Sequence, residues 1–379
     1  MRIAINTRLL LHNQLEGMGW FTYEIAKRLV AQHPEHEFFF LFDRKYDARF
    51  IFDQNVKAII VPPMARHPIL FYLWFEWSLP FVLAKHKVDV FLSPDNFCSL
   101  RTKVPTVLVV HDLAFQHFPT QIRKRELRYY LKFMPQYLRR ADRIVTVSQF
   151  TKQDIIHTYG IANEKIAIAC NGVRPHFRPL GEEEKLATQL QYAAGNPYFF
   201  YVGSVHPRKN VARLIAAFEQ FKQTVPNEMK LLIAGRMAWK TSAVKAALDK
   251  AIHKKDIIFL GYVTDEKLPL LLGTAKALIY VSLFEGFGVP ILEAMHAEVP
   301  VIASVTSSMP EVAGNAAILV DPNSTVAIAE ALHKVYNDEA LCKALVEKGK
   351  VQRTQYSWEK ATDIVYENLL LASARKRRT

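Results

Sequence analysis

The chain has 379 residues, half of them hydrophobic, with 49 Lys+Arg against 36 Asp+Glu and a net charge of +13. That length is long for one core and comfortable for two domains, each able to bury a sizeable core. Three scattered cysteines, Cys98, Cys170 and Cys342, exclude a disulfide framework or a cysteine zinc site and suit a reducing cytoplasm. The N-terminus opens on a strand pattern with no room for a signal-peptide apolar region. The most apolar segment, 69–84, is interrupted by Glu76 and Pro80 and falls short of a membrane span. The charge is uneven: residues 1–180 hold 25 Lys+Arg against 15 Asp+Glu. A basic first half fits a phosphate-bearing partner, whether nucleic acid, an anionic membrane surface or a lipid diphosphate; a merely soluble basic surface is the plain alternative.

Short apolar runs alternate with helical periodicities along that half. Residues 2–6 read as a strand, and 17–32 as a helix with Phe21, Ile25, Leu29 and Val30 on one face. Strands at 38–42, 58–61, 88–92 and 106–110 follow, then an amphipathic stretch over 123–140 and a strand at 143–147. Ser148 caps a helix running to Tyr159, and 166–169 is a further strand. The run 171–179, with Gly172, Pro175 and Pro179, reads as a linker together with the acidic run Glu182, Glu183, Glu184. The alternation then restarts. Strands are expected at 198–202, 230–234, 257–260, 277–281, 299–303 and 316–319, with helices at 211–224, 243–254, 268–273, 291–297, 325–337 and 339–355. Two such series predict an α/β chain of two Rossmann-like domains, 1–178 and 179–357, facing across a cleft. Only the basic tail from Arg375 to Arg378 has low complexity.

The densest chemistry lies at 285–293. Glu285 and Glu293 stand eight positions apart, with Gly286, Gly288 and Pro290 between them and an apolar strand before them. Strand, glycine turn and helix N-terminus suit an anionic ligand that carries hydroxyls: amides for the anion, carboxylates for the hydroxyls. A nucleotide sugar is such a ligand. At 203–210, Gly203 ends a strand, and Arg208 and Lys209 fall at the C-terminal edge of the sheet, where ligands bind in open α/β folds. A fork and a point charge side by side can neutralise a diphosphate; a solvated basic turn is the alternative. His111 with Asp112 ends the strand 106–110 at the equivalent edge of the other domain, as a ligand contact or as a satisfied structural histidine. Gly17 and Gly19 open a helix, but Thr22 stands where a dinucleotide fingerprint needs its third glycine, and there is no P-loop. They read as a glycine loop near a ligand or as a simple turn.

In series, these residues make the chain resemble the retaining glycosyltransferases of family 4, which have the two-Rossmann GT-B fold. The likeness runs over nearly the whole chain. It is carried by Gly17 and Gly19, His111-Asp112, Asn171-Gly172-Val173, Gly203 with Arg208-Lys209-Asn210, Gly261-Tyr262-Val263, Glu285 and Glu293, Pro300-Val301-Ile302-Ala303 and Pro310-Glu311-Val312. Tyr356-Ser357-Trp358 resembles the start of a helix, 358–379, that crosses back to the N-terminal domain. The resemblance implies roles. Glu293 would bind the donor ribose, and Arg208 and Lys209 the diphosphate. Glu285 would hold hydroxyls of the transferred sugar, helped by the amides of Phe287, Gly288 and Val289. His111 would lie by the reacting carbon, Gly19 by the phosphates or acceptor, and Val263 would meet the base through its backbone. Two cations and a helix N-terminus can replace a divalent metal, so metal-independent transfer with retention is expected. A hydrolase pair of acids leaves Arg208 and Lys209 unexplained.

Within that family, 285–290 together with 307–312 resembles mannosyltransferases of bacterial surface-polysaccharide assembly, which makes GDP-mannose the first-choice donor. No cofactor is expected. The acceptor would be a glycan or lipid-linked glycan, with peripheral contact to anionic membrane through the aromatic segment 71–77 and the basic residues Arg123 to Arg140; for Trp74 and Trp77 themselves, at helical spacing, core is the stronger reading. Other classes remain: a nucleotide-sugar-processing enzyme such as a non-hydrolysing epimerase, a nucleic-acid binder, for which no motif accompanies the charge, or an NAD oxidoreductase lacking its third glycine.

Overall fold

The structure is a computed structural model that describes residues 1–12, 15–224, 228–238 and 241–376. The chain divides into two compact units. One comprises residues up to Asn171 together with the C-terminal segment from Ser357; the other is Gly172–Tyr356. The passage between them falls at 171/172, ahead of the position 178 read from the linker composition, so Arg174 and Phe177 belong to the second unit.

The first unit is built on seven parallel strands: β1 (Arg2–Asn6), β2 (Glu37–Phe42), β3 (Val56–Ile60), β4 (Val90–Ser93), β5 (Thr106–Val110), β6 (Arg143–Thr146) and β7 (Ile166–Ile168), in the order β3-β2-β1-β4-β5-β6-β7. The central strands are buried along their whole length, which is why they read as continuous apolar runs rather than alternations. The helix Gln149–Tyr159 begins as expected: the Ser148 hydroxyl accepts the Thr151 N–H at 3.0 Å, and Gly160 ends it at φ 64°. The chain returns to this unit in the helix Trp358–Lys376. Trp358, Ala361, Val365, Leu369 and Ala372 recur at helical spacing and are all buried. That stripe packs on the helix Gly17–Gln32 and on β4 to β7. The basic tail expected at its end lies partly outside the described residues.

The second unit has six parallel strands: β8 (Tyr198–Val202), β9 (Lys230–Ala234), β10 (Ile257–Gly261), β11 (Ala277–Tyr280), β12 (Val301–Ser304) and β13 (Ile318–Val320), in the order β10-β9-β8-β11-β12-β13. Strand order reverses direction beside β8, so the loops leaving β8 and β11 open next to each other at the carboxyl edge. One expectation is corrected here. Glu182, Glu183 and Glu184 are not linker; they form the first turn of the helix Glu182–Ala193. Three carboxylates there complement the positive end of the helix, and Glu184 accepts the Gly181 N–H at 3.1 Å. The helix expected over 243–254 is shorter, Ser242–Lys250, with a separate 3-10 turn at Lys254–Asp256. Among the described residues, no helix is long and apolar enough to cross a membrane.

Candidate active site

At the carboxyl edge of the second sheet, β8 ends in Gly203 at φ 144°, and the 3-10 turn Pro207–Lys209 delivers Arg208 and Lys209. The turn is pinned from three sides. Leu283 N–H donates to the Arg208 carbonyl at 2.8 Å. Asn210, held at φ 63°, donates its amide to the carbonyls of Val281 and Pro322 at 3.0 and 2.7 Å. The neighbouring loop carries Gly235 at φ 147°, where a Cβ would lie 1.9 Å from the Gly203 carbonyl oxygen, so the two backbones touch.

Both cations point at one acid. Lys209 Nζ lies 2.6 Å from Glu285 Oε1 and Arg208 Nη1 lies 3.4 Å from Glu285 Oε2. Arg208 also donates to the Phe284 carbonyl at 2.5 Å, and Lys209 to the Tyr280 hydroxyl at 3.3 Å. Burial pushes the Glu285 pKa up, but the Lys209 ammonium and the Arg208 guanidinium outweigh it and hold the carboxyl below its ordinary range. The Tyr201 and Tyr280 hydroxyls are driven well above theirs by burial and by the Glu285 charge. The result is a buried carboxylate that stays ionised beside two cations.

The glycine turn after Glu285 is held by the segment following β12. Glu285 N–H donates to Ser307 Oγ at 2.9 Å, and the Ser308 hydroxyl reaches the carbonyls of Glu285 and Phe287 at 2.9 and 2.8 Å. Gly288, at φ 105°, caps the helix Val289–His296, with Pro290 in its first turn. Pro290 has no N–H and the Ile291 N–H donates to the Gly288 carbonyl at 3.0 Å, so the Val289 amide is what this helix start presents at the end of a loop fixed by serine hydroxyls. Glu293, on the next turn, is buried and paired with Arg174 Nη2 at 3.1 Å. The other arm of Arg174 donates to Asp265 Oδ1 at 2.7 Å. Burial raises the Glu293 pKa, and Arg174 opposes it. Val263 sits half-buried in the loop after β10, beyond Gly261 at φ 66°.

In the first unit, His111 follows β5 at the carboxyl edge of its sheet. Its Nε2 lies 2.8 Å from the Pro94 carbonyl, its N–H donates to Asn96 Oδ1 at 2.8 Å, and Phe21 packs edge-on against its ring at 5.1 Å. Burial keeps the imidazole pKa low. A carbonyl only accepts, so Nε2 carries the proton and the neutral ring offers Nδ1 as an acceptor. At the ends of β1 and β4, Arg8 and Asp95 form a buried ion pair, with the Arg8 guanidinium 4.9 Å from the Phe97 ring centre. Gly17 and Gly19 lie in the first turn of their helix; a Cβ on Gly19 would come within 3.0 Å of the Leu9 carbonyl oxygen. That glycine makes room for the chain's own loop. Among the described residues, His33, Glu35 and His36 are grouped closely enough to hold a metal, and they lie beyond that helix's other end.

Two family models account for most of the sequence. Residues 15–177 match Glycosyltransferase Family 4, and residues 182–352 match Glycosyl transferases group 1. The chain is a GT-B glycosyltransferase. This glycosyltransferase is 29% identical over 363 residues to O-antigen chain mannosyltransferase B of Escherichia coli, covering 92% of this chain and 94% of that one. It is 29% identical over 322 residues to O-antigen chain mannosyltransferase RfbU of Salmonella typhimurium, covering 81% and 84%. Among solved structures, Anabaena HepE in complex with UDP and glucose shares its fold, with TM-score 0.75 and 17% identity over 97% of this chain and 99% of that one.

Of the residues singled out from sequence, Gly203, Arg208, Lys209 and Glu285 come together in the glycosyltransferase's second unit, with Phe287, Gly288 and Val289 continuing the same loop into the helix that bears Glu293. Sequence reasoning missed Arg174, which composition placed in a linker, and Gly235, whose role depends on a backbone contact; Ser307 and Ser308 entered it only through the resemblance of 307–312, without the backbone contacts that they make. It also missed Arg8 and Asp95, which are 87 residues apart in sequence.

Proposed function

We propose that this glycosyltransferase moves a hexose, mannose first, from a nucleoside diphosphate sugar to a hydroxyl of a glycan or lipid-linked glycan, with retention and without a metal ion. The carrying observation is the Arg208–Lys209–Glu285 cluster at the sheet edge, beside the helix start at Gly288. When the bond from the anomeric carbon to the diphosphate breaks, its electron pair leaves on the phosphate oxygen. Arg208, Lys209 and the Val289 amide at the helix start supply positive charge where that negative charge gathers. The acceptor oxygen then bonds to the same face of the anomeric carbon, and its proton passes to the departing phosphate oxygen. Glu285, kept ionised, accepts hydroxyl hydrogens of the sugar; Glu293 accepts those of the ribose; Val263 meets the base; and His111 contributes a neutral acceptor nitrogen to the sugar.

The two mannosyltransferase relatives support mannose, and GDP-mannose is the first donor to test. A lipid-linked acceptor supports the reading of a cytoplasmic enzyme in peripheral contact with anionic membrane. A thermal-shift screen of nucleoside diphosphates and their sugars identifies the donor. Incubation with a glycan acceptor, with and without EDTA, followed by NMR of the new anomeric centre, tests the rest. Product formed with inverted configuration, activity abolished by EDTA, or interconversion of the nucleotide sugar without acceptor would each overturn the corresponding part.

A further inference from the structure

The helical segment after β3 has an unusual row on its outer side. It runs from Pro68–Leu73 through a π-helical turn, Trp74–Ser78, into Leu79–Lys85. Ile69, Leu73, Trp77 and Phe81 recur every fourth residue and are 65, 40, 57 and 69% exposed. In an unbroken α-helix, each four-residue step rotates by about 40°, so three steps would carry the row roughly a third of the way round and into the core. The wider π turn takes up that rotation and keeps the four side chains on the water side. The inner side is firmly seated. Trp74, Phe75, Leu79 and Leu83 are fully buried, and Trp74 Nε1–H donates to the Val61 carbonyl at 2.8 Å. The buried Glu76 carboxylate accepts the N–H groups of Leu100 and Arg101 at 3.0 to 3.1 Å. Arg101 in turn lays its guanidinium 4.0 Å over the Trp77 ring. The exposed row is thus a rigid feature, and contiguous exposed apolar side chains of this size mark an interaction site.

Its neighbour is the helix Lys124–Arg140, which packs on the same segment, Tyr72 and Phe133 meeting at 6.0 Å. Lys124, Arg125, Arg128, Lys132 and Arg139 are all exposed on it. Its one carboxylate, Glu126, lies 4.0 Å from Arg123. We propose that the Ile69–Leu73–Trp77–Phe81 row and the basic face of this helix form one docking surface for an anionic lipid bilayer. The apolar row enters the interfacial region and the cations meet the head-group phosphates. Charge complementarity selects this occupant: a soluble apolar partner has no use for a dense cationic rim, and a nucleic acid, which could stack on Trp77 or Phe81, has none for Ile69 and Leu73 in the same row. The surface gives purpose to the lipid-linked acceptor of the proposed function and rests on that reading only there, since its test needs neither donor nor acceptor.

The experiment is co-sedimentation of the full chain with phosphatidylcholine vesicles, with and without phosphatidylglycerol, over a salt series. The expected result is pelleting with the anionic vesicles alone, weakening with salt. Lys124→Gln, Arg128→Gln and Lys132→Gln should each lower partitioning about fivefold. Trp77→Ser with Phe81→Ser should lower it while thermal melting and nucleoside diphosphate titration stay unchanged. Equal binding to neutral vesicles, or partitioning unaffected by both sets of changes, would overturn the surface. So would a wild-type dimer that the Trp77 and Phe81 changes convert to monomer without any vesicle binding, or retention of an RNA oligonucleotide in place of vesicles. Nucleotide binding without vesicle binding removes this surface alone; vesicle binding without nucleotide binding removes the proposed reaction alone.

Discussion

Arg174 holds Glu293 by one arm and Asp265 by the other, so the first residues of the second unit fix the orientation of a carboxylate on the helix that starts the glycine-turn site. A buried carboxylate without a cation would take up a proton. Glu293 already has a raised pKa through burial, and Arg174 limits the rise. Arg174→Ala should therefore weaken nucleoside diphosphate affinity about tenfold to a hundredfold, the worth of a charged hydrogen bond. The loss should be greatest at low pH and recover as pH rises and Glu293 ionises. Arg174→Lys should restore part of it. Calorimetric titration from pH 6 to 9 checks this, and a loss of equal size at every pH would remove Arg174 from that role.

The cluster around Glu285 makes a different prediction. Its folded pKa is depressed by Lys209 and Arg208, so its contribution to stability is complete above the unfolded value, near 4.5, and is lost as pH falls through the lower folded value. Glu285→Gln should cost about 3 kcal/mol at neutral pH, because two partly buried cations lose their partner. The stability gap between wild type and variant should narrow as pH is lowered from 6 to 3. Denaturant melts at each pH measure it. A gap that stays constant, or widens, would mean Glu285 is not held ionised by that pair.

Turnover should respond to the cations more than stability does. Arg208→Ala and Lys209→Ala should each lower kcat by about a hundredfold to a thousandfold, the effect of removing one donor aimed at developing charge. Arg208→Lys keeps the charge but forfeits the bond to the Phe284 carbonyl and should fall between. Steady-state kinetics beside a thermal melt separate the two effects. Wild-type turnover in folded Arg208→Ala and Lys209→Ala proteins would sink the diphosphate role.

Much of this was legible because it depends on local order. Apolar runs buried on both faces announce parallel strands, and Ser148 and Gly160 announce the ends of a helix from their own chemistry. Arg208, Lys209 and Glu285 were visible because each follows a strand directly. Their mutual contact was not, since it depends on β8 lying beside β11. Arg174 was hidden by its proline-rich neighbours, and Trp77 was inseparable from Trp74 because only the π turn at Trp74–Ser78 sends one outward and the other inward. Gly19 reads either as a glycine near a ligand or as a turn, because its closeness to the Leu9 carbonyl is a contact that spacing does not show.

The glycines offer the last test, since three that look alike in sequence differ in physics. Gly17 has open space where a Cβ would go and no positive φ, so Gly17→Ala should be neutral or slightly stabilising, through reduced freedom of the unfolded chain. Gly203 has φ 144° and a Cβ would lie 3.1 Å from the Tyr201 hydroxyl; Gly203→Ala should cost about 1–3 kcal/mol. Gly235 has φ 147° and would drive a Cβ into the Gly203 carbonyl, a contact that only main-chain movement can relieve. Gly235→Ala should therefore cost more than Gly203→Ala. It should also weaken nucleotide binding although it touches no proposed ligand atom, because the loop it displaces leads to Arg208 and Lys209. Urea midpoints for the three variants give the order, and nucleotide titration of Gly235→Ala under folding conditions gives the coupling. Equal midpoints for Gly17→Ala and Gly235→Ala, or wild-type affinity in a folded Gly235→Ala protein, would show that the backbone contact between the β8 and β9 loops does not set the position of the cations.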